Sequence, residues 1–285
     1  MPDPSSQFAG SSTTEEASSR SGVTQFRRTW LAEDPLAEVL LLHGIAEHSG
    51  RYEHVGATWS AAGYSTRAID HYGHGHSGGI RGYVPSFDTF LDDVEDNIAE
   101  LRERNRPVVL MAHSLGGLIA FTYCVTGRPL PDVLLLSGPA LGADPPKWQT
   151  VLAPVLGRLR PKLFIKSEFD GSLLSTDPDV GSAYANDPLR VAGATAGLGH
   201  AIFSTMKLAN KNLNRLSIPT LVIHGGADRI VPPHFSEPIG DLPIATRQVL
   251  PGLEHEVLNE PTWKSTMRSF IGFTRGALGS RSSSG

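Results

Sequence analysis

Six short apolar runs, each closed by a turn residue, constrain this chain more than any other feature. They are Val39-Leu40-Leu41-Leu42 before His43-Gly44, Thr66-Arg67-Ala68-Ile69 before Asp70, and Val108 to Met111 before Ala112-His113-Ser114. The later three are Val133 to Leu136 before Ser137-Gly138, Leu221-Val222-Ile223 before His224-Gly225, and Arg247-Gln248-Val249-Leu250 before Pro251-Gly252. Runs this short suit strands buried on both faces. Helix-patterned sequence lies between them. Phe90, Leu91, Val94, Ile98 and Leu101 recur at helical spacing within Phe87 to Asn105, with Asp88 as the expected cap. Ser114 to Thr126 and Pro261 to Leu278 read as further helices, Pro261 being placed at a first turn. Alternating strands and helices imply a mostly parallel sheet covered on both faces. Its crossovers are right-handed, so ligand groups gather beyond the carboxyl ends of the strands. Val23 to Leu31 alternates and is expected to add antiparallel edge strands.

The 285 residues suffice for one large α/β domain, or for a core domain with an insert. A net charge of −4 leaves no basic field for nucleic acid. A single cysteine, Cys124, excludes an internal disulfide and reads as a buried core thiol. No apolar segment approaches the ~18 residues of a membrane span, and the Ser/Thr/Glu-rich start lacks the pattern of a secretory signal. The expected location is the cytoplasm. Residues 1–22 and 279–285 read as disordered tails. Residues 23–140 and 215–278 read as two parts of one core, and residues 141–214 as a helical lid between them. There Trp148, Val151, Leu152, Val155, Leu156 and Leu159 have amphipathic helical spacing, and His200 to Leu213 is helix-like. The insertion is longer than an ordinary strand–helix connection. A pair of ordinary surface helices is the alternative.

Chemistry-bearing residues fall at the strand ends. Val108 to Gly117 reads VVLMAHSLGG, where small residues surround Ser114 as in a nucleophile elbow, G-x-S-x-G, with Ala112 in the first glycine's place. A serine hydroxyl needs a base to take its proton. Where serine stands on such an elbow, the partners follow in the order Ser, Asp/Glu, His. Asp228 in HGGADRIVPP and His255 in LPGLEHEVLNE follow the last two runs in that order. Ser114 is thus the expected nucleophile, His255 the proton carrier and Asp228 its orienting acid. The expected oxyanion donors are the backbone N–H groups of Leu115, directly after the nucleophile, and Ile45, in the loop after His43-Gly44.

HGIAEHSGRYEH, DHYGHGHSGGIRGY, AHSLGG, HGGADRIV and LEHEVLNE together resemble the monoacylglycerol lipase family, from about Ala37 to Phe270. The resemblance implies an α/β-hydrolase fold: a mostly parallel central sheet flanked by helices, with an inserted helical lid. It implies cleavage of one fatty acid from a monoacylglycerol without a cofactor. It maps the nucleophile, acid and base to Ser114, Asp228 and His255, and the oxyanion donors to Ile45 and Leu115. It also matches Tyr184, in AYANDPLR, to a lid tyrosine that faces the glycerol end of the substrate. Two positions depart from the family: Ala112 in the elbow, and Ala46 in HGIAEH, where HGxGEH is more usual.

Other readings compete. His71, His74 and His76 in DHYGHGHSGG invite a metal, but no cysteine or clear carboxylate spacing joins them, and a glycine-supported turn is preferred. His113 and Glu47-His48 either orient the oxyanion loop or are satisfied structural polar groups. The lid's apolar residues line an acyl tunnel, touch a membrane, or bury against the core; a lipase that draws lipid from a bilayer is expected to make peripheral contact. Within ester hydrolysis, a broader carboxylesterase or lysophospholipase is the alternative. A non-catalytic binding protein is the alternative of a different class. A serine at the elbow argues against dehalogenase and epoxide hydrolase chemistry, which need aspartate there; acyl transfer to an alcohol stays open.

Overall fold

The computed structural model describes residues 12–144, 155–167 and 170–282. Its strands are β1 (Thr13–Ser18), β2 (Thr24–Trp30), β3 (Ala37–Leu42), β4 (Tyr64–Ile69), β5 (Val108–His113), β6 (Val133–Ser137), β7 (Phe164–Lys166), β8 (Gly193–Thr195), β9 (Thr220–Gly225) and β10 (Ala245–Leu250). The longer helices are α1 (Glu53–Ala61), α2 (Phe87–Arg102), α3 (Ser114–Val125), α4 (Pro178–Asn186), α5 (Ala196–Lys211) and α6 (Trp263–Ser282). Eight strands make one sheet in the order β1-β2-β4-β3-β5-β6-β9-β10, and β7 pairs with β8 in a separate antiparallel ribbon. From β4 to β10 every neighbouring pair is parallel. Among the described residues of this sheet, only β1–β2 and β2–β4 are antiparallel. This is the mostly parallel sheet that the apolar runs implied, in the α/β-hydrolase arrangement that the resemblance implied.

Helices on both faces explain why the runs do not alternate. Leu40, Leu42, Leu110, Leu134 and Leu136 point to one side, into a core completed by Phe90, Val94 and Ile98 of α2, Leu118 and Phe121 of α3, and Leu198 and Ala209 of α5. Val39, Leu41, Val109, Met111, Val133 and Leu135 point to the other, against Val55 and Trp59 of α1 and Met267 and Phe270 of α6. Each such side chain contributes roughly 1.5–3 kcal/mol through burial, so the central strands form a rigid floor for whatever stands at their ends.

Three readings need correction. Ser86, not Asp88, caps α2: its Oγ accepts the Asp88 N–H at 3.2 Å. The expected disorder of residues 1–22 fails at Thr13–Ser18, which pairs with β2 along its whole length. This strand is almost entirely exposed; backbone ladder bonds hold it, and they leave no hydrophobic signature. At the other end α6 runs to Ser282, four residues into the expected 279–285 tail. Residues 1–11 lie outside the described residues.

Between β6 and β9 the chain leaves the sheet. Residues 155–159 are helical; Trp148, Val151 and Leu152 lie outside the described residues. The β7–β8 ribbon, α4 and α5 complete the insertion.

Asp93 on α2 is 4% exposed, beside Gln25 and Arg27 and between Asp92 and Asp96. Burial pushes its carboxyl up to about 7. The folded protein therefore holds a proton that the unfolded chain releases at lower pH. Stability falls as pH rises between the ordinary carboxylate range and about 7. Asp93→Asn is expected to gain on the wild type through that window by up to about 1.4 kcal/mol per pH unit. Urea unfolding at several pH values measures this; parallel curves would contradict it.

Candidate active site

The carboxyl ends of β3, β5, β9 and β10 lie on one side of the sheet, and each delivers one part of the site. β5 sits between β3 and β6. Directly after it the backbone turns at Ser114, whose φ of 51° lies in the left-handed region. Only small neighbours permit this turn. A Cβ on Gly116 would lie 2.5 Å from the Leu42 carbonyl oxygen and 2.6 Å from that of His43; one on Gly117 would lie 2.8 Å from Pro139 Cα. Ala112 faces the core instead, where its methyl packs with Leu110 and Leu136. The second departure carries strain: Ala46 has a φ of 66°, which disfavours an L-residue by about 1–2 kcal/mol relative to glycine.

Ser114, Asp228 and His255 come together although 141 residues separate the first and last. His255 Nε2 stands 2.9 Å from Ser114 Oγ, and His255 Nδ1 stands 2.6 Å from Asp228 Oδ2. Asp228 Oδ1 accepts the N–H groups of Ile230 and Val231, each at 2.9 Å. Burial works to raise the Asp228 carboxyl, but hydrogen bonds from His224 and His255 outweigh it and hold the group well below the usual carboxylate range. With Asp228 ionised, His255 carries its proton on Nδ1 and turns the Nε2 lone pair toward the serine hydroxyl. The His113 ring packs on that of His255, centroids 4.7 Å apart. Burial pushes His113 down to about 3, so it stays neutral beside the His255 ring.

The loop after β3 approaches Ser114 closely. A side chain on Gly44 would meet Glu47 Oε1 at 2.8 Å and Ser114 Cβ at 3.1 Å. Ile45 lines the cavity at this point. Leu115 is the second residue of α3, so its N–H belongs to the first turn, which has no intrahelical acceptor. His43 holds the loop from beneath: its Nδ1–H donates to the Gly44 carbonyl at 2.7 Å, and its Nε2 accepts the His71 N–H at 3.0 Å. Burial keeps His71 down to about 3 and His74 to about 4, so both are neutral. His71 Nε2 meets the His43 carbonyl and His74 Nδ1 that of Tyr72, both at 3.0 Å. His76 packs its ring on Phe26.

Glu47 Oε1 accepts the Gly44 N–H at 2.5 Å and the Tyr52 hydroxyl at 2.8 Å; Oε2 accepts Arg51 Nη1 at 2.8 Å. Arg51 then grips Glu256 through both oxygens, at 2.6 and 2.8 Å. Burial pushes the Glu47 carboxyl up. On Glu256 the same burial is outweighed by Arg51, which holds the carboxyl below its usual range. Arg51 and Glu256 were not foreseen, though the Glu47–Arg51 spacing of four is an ion-pair signal. His48 reaches away from the loop: its Nε2 lies 2.8 Å from Asp187 Oδ2, in the insertion. Tyr184 is 4% exposed, with Arg51 and Arg190 against its ring at 5.2 and 5.1 Å.

Gly44, Ile45, Glu47, His113, Ser114, Leu174, Tyr184, Ile230, His255 and Glu256 enclose a cavity of ≈ 290 Å³, open solvent at its mouth included. Among the described residues no three His, Cys, Asp or Glu side chains are arranged to hold a metal ion. A buried serine, base and acid in hydrogen-bonded series beside a cavity can transfer an acyl group.

Residues 33–262 match the family described as serine aminopeptidase, S33. The chain belongs to this family. It is 36% identical over 240 residues to a monoacylglycerol lipase of Mycolicibacterium smegmatis, a match that spans 81% of this chain and 85% of the relative. The crystal structure of Paleococcus ferrophilus monoacylglycerol lipase superposes with a TM-score of 0.82 at 32% identity, covering 89% of this chain and 99% of that one. A soluble variant of the Saccharomyces cerevisiae monoglyceride lipase, in complex with a substrate analogue, shares the fold with a TM-score of 0.84 at 20% identity, covering 97% and 98%. The protein is a hydrolase of carboxylic esters.

Gly116→Ala tests the elbow. The added methyl meets two backbone oxygens that cannot rotate away, so a loss of about 1–3 kcal/mol in stability is expected. Denaturant unfolding reads this loss, and esterase activity at equal folded fraction should fall with it. An unchanged midpoint would show that α3 shifts freely against β3.

Proposed function

We propose that this chain cleaves monoacylglycerols to fatty acid and glycerol through an acyl-enzyme, with Ser114 as nucleophile, His255 as proton carrier and Asp228 as its orienting acid. The observation that carries the reading is the unbroken series Ser114 Oγ, His255, Asp228 at the cavity wall. Ser114 Oγ attacks the ester carbonyl and its proton passes to His255 Nε2. The N–H groups of Ile45 and Leu115 receive the oxyanion. Collapse of the tetrahedral centre expels glycerol, which takes the proton from His255. Water then loses a proton to His255 and attacks the acyl-enzyme; His255 returns that proton to Ser114 Oγ as the fatty acid is released. The relatives named as monoacylglycerol lipases support this substrate class. So does the cavity, where Ile45, Leu174 and Ile230 are apolar and Tyr184, Glu47 and Glu256 are polar. We assign Tyr184 to the glycerol end. An aminopeptidase needs a carboxylate for the substrate ammonium, and the two carboxylates in this wall are both engaged by Arg51.

The insertion serves as a lid in this reading, because Leu174 and Tyr184 bring it to the cavity wall. Its outer part suits a bilayer surface. Val155, Leu159, Leu163, Phe164 and Ile165 are all exposed, Leu159 to 74%, with Arg158, Arg160 and Lys162 among them. No helix among the described residues is long and apolar enough to cross a membrane, so the contact is peripheral.

Fatty-acid release from a chain-length series of monoacylglycerols, lysophosphatidylcholines and diacylglycerols tests the substrate. Monoacylglycerols are expected to lead, and Ser114→Ala to lower kcat by about 10⁴-fold or more. Faster release from lysophosphatidylcholine would move the assignment to a lysophospholipase. For the surface, co-sedimentation with vesicles is expected to weaken when Leu159 and Phe164 become serine; equal binding would remove this face from the contact.

A further inference from the structure

Building on the triad reading above, we infer that His224 is a positioning residue that acts on His255 through Asp228, with Ser236 and Arg247 aligned behind it. His224 lies on β9, fully buried. Its Nε2 faces two acceptors, the Val231 carbonyl at 2.8 Å and Asp228 Oδ2 at 3.1 Å. Neither a carbonyl nor an ionised carboxylate can donate, so Nε2 bears the proton. Its Nδ1 lies 2.9 Å from Ser236 Oγ. That hydroxyl accepts Arg247 Nε–H at 2.9 Å. The hydroxyl's other neighbour, the Pro233 carbonyl, already accepts Arg247 Nη2–H at 2.7 Å. The Ser236 hydroxyl has one proton and two acceptors in reach, His224 Nδ1 and the Pro233 carbonyl, each at 2.9 Å. Arg247, Ser236, His224 and Asp228 thus stand in one hydrogen-bonded series.

Two imidazoles thus meet on one oxygen. Asp228 Oδ2 accepts from His224 on one side and from His255 Nδ1 on the other. The carboxylate does not depend on His224 for its orientation, because Oδ1 is held by the N–H groups of Ile230 and Val231. What His224 takes is acceptor strength. A second donor on Oδ2 draws charge away from the bond to His255, and the positive end at Arg247 polarises the whole series. His224 thereby limits how strongly Asp228 favours a protonated His255, keeping the base free for Ser114 at lower pH. The other charged or titratable groups around this pair are His113, stacked on His255, with Glu256 and Arg51 beyond it, and Glu237, 4.0 Å from Arg247. All of these stay in place in the variants below.

The test is the pH profile of kcat/KM for ester cleavage by wild type, His224→Phe, His224→Gln and Ser236→Ala, each checked for labelling of Ser114 by a fluorophosphonate. In His224→Phe the acid limb is expected to move to higher pH by about 0.5–1 unit. His224→Gln, which can return an N–H to the Nε2 position, is expected to keep the wild-type limb. Ser236→Ala keeps every charge and should move the limb upward by less; it carries the test should the Phe variant fail to fold. A limb that stays fixed or moves to lower pH in labelled His224→Phe or Ser236→Ala overturns the proposal. Wild type that does not label at Ser114 overturns the triad reading on which it rests, a distinct outcome.

Discussion

The left-handed turn at Ser114 is the constraint on which the site depends. A non-glycine residue there costs about 1–2 kcal/mol, and nothing local to the dipeptide repays it. The turn persists because both flanks are immobile. β5 lies between β3 and β6, buried at every position, and every residue of α3 is buried. That rigidity gives Ser114 Oγ a defined place relative to His255, which hangs from the far edge of the same sheet. The glycines at 44 and 116 follow from the same geometry: each stands where a Cβ would strike the structure that forces the turn.

Around this turn the protein buries several polar groups and satisfies most of them. Glu47, Arg51 and Glu256 share a largely buried site, two carboxylates on one guanidinium. Buried charges are tolerated only when their remaining lone pairs are occupied, and here Gly44 N–H, Tyr52 and Asn259 occupy them. The arrangement ties three segments together: the loop after β3, the turn bearing Arg51, and the loop bearing His255. Histidines complete the frame as neutral donors and acceptors. His43, His71 and His74 have their charged forms suppressed by burial, so they support the loop beside Ser114 without adding a competing positive charge near His255.

Much of the fold was legible because a parallel sheet covered on both faces requires unbroken apolar strands, and six such runs stand in the chain. The chain order of Ser114, Asp228 and His255 was legible for a related reason: residues directly after parallel strands emerge on the same side. β1 was not legible, since a ladder of backbone hydrogen bonds can form on Thr, Glu, Ala and Ser without an apolar face to mark it. The Ser86 cap lay two residues from the expected Asp88, because either side chain can accept from a first-turn N–H and only the backbone path selects one.

The sequence by itself determined the layered architecture, the small residues at the elbow and the chain order of Ser114, Asp228 and His255, all of which follow from local pattern and strand direction. Only the tertiary structure decided which polar groups share a proton or a charge. Arg51 meets Glu256 across 205 residues, and His48 meets Asp187 across 139. His224 lies only four residues from Asp228 in sequence, yet joins it only because the 228–231 loop folds back over β9. Such contacts depend on distances of about 3 Å between side chains whose separation along the chain carries no periodic signal. They are set when the sheet and its covering helices close, and no earlier.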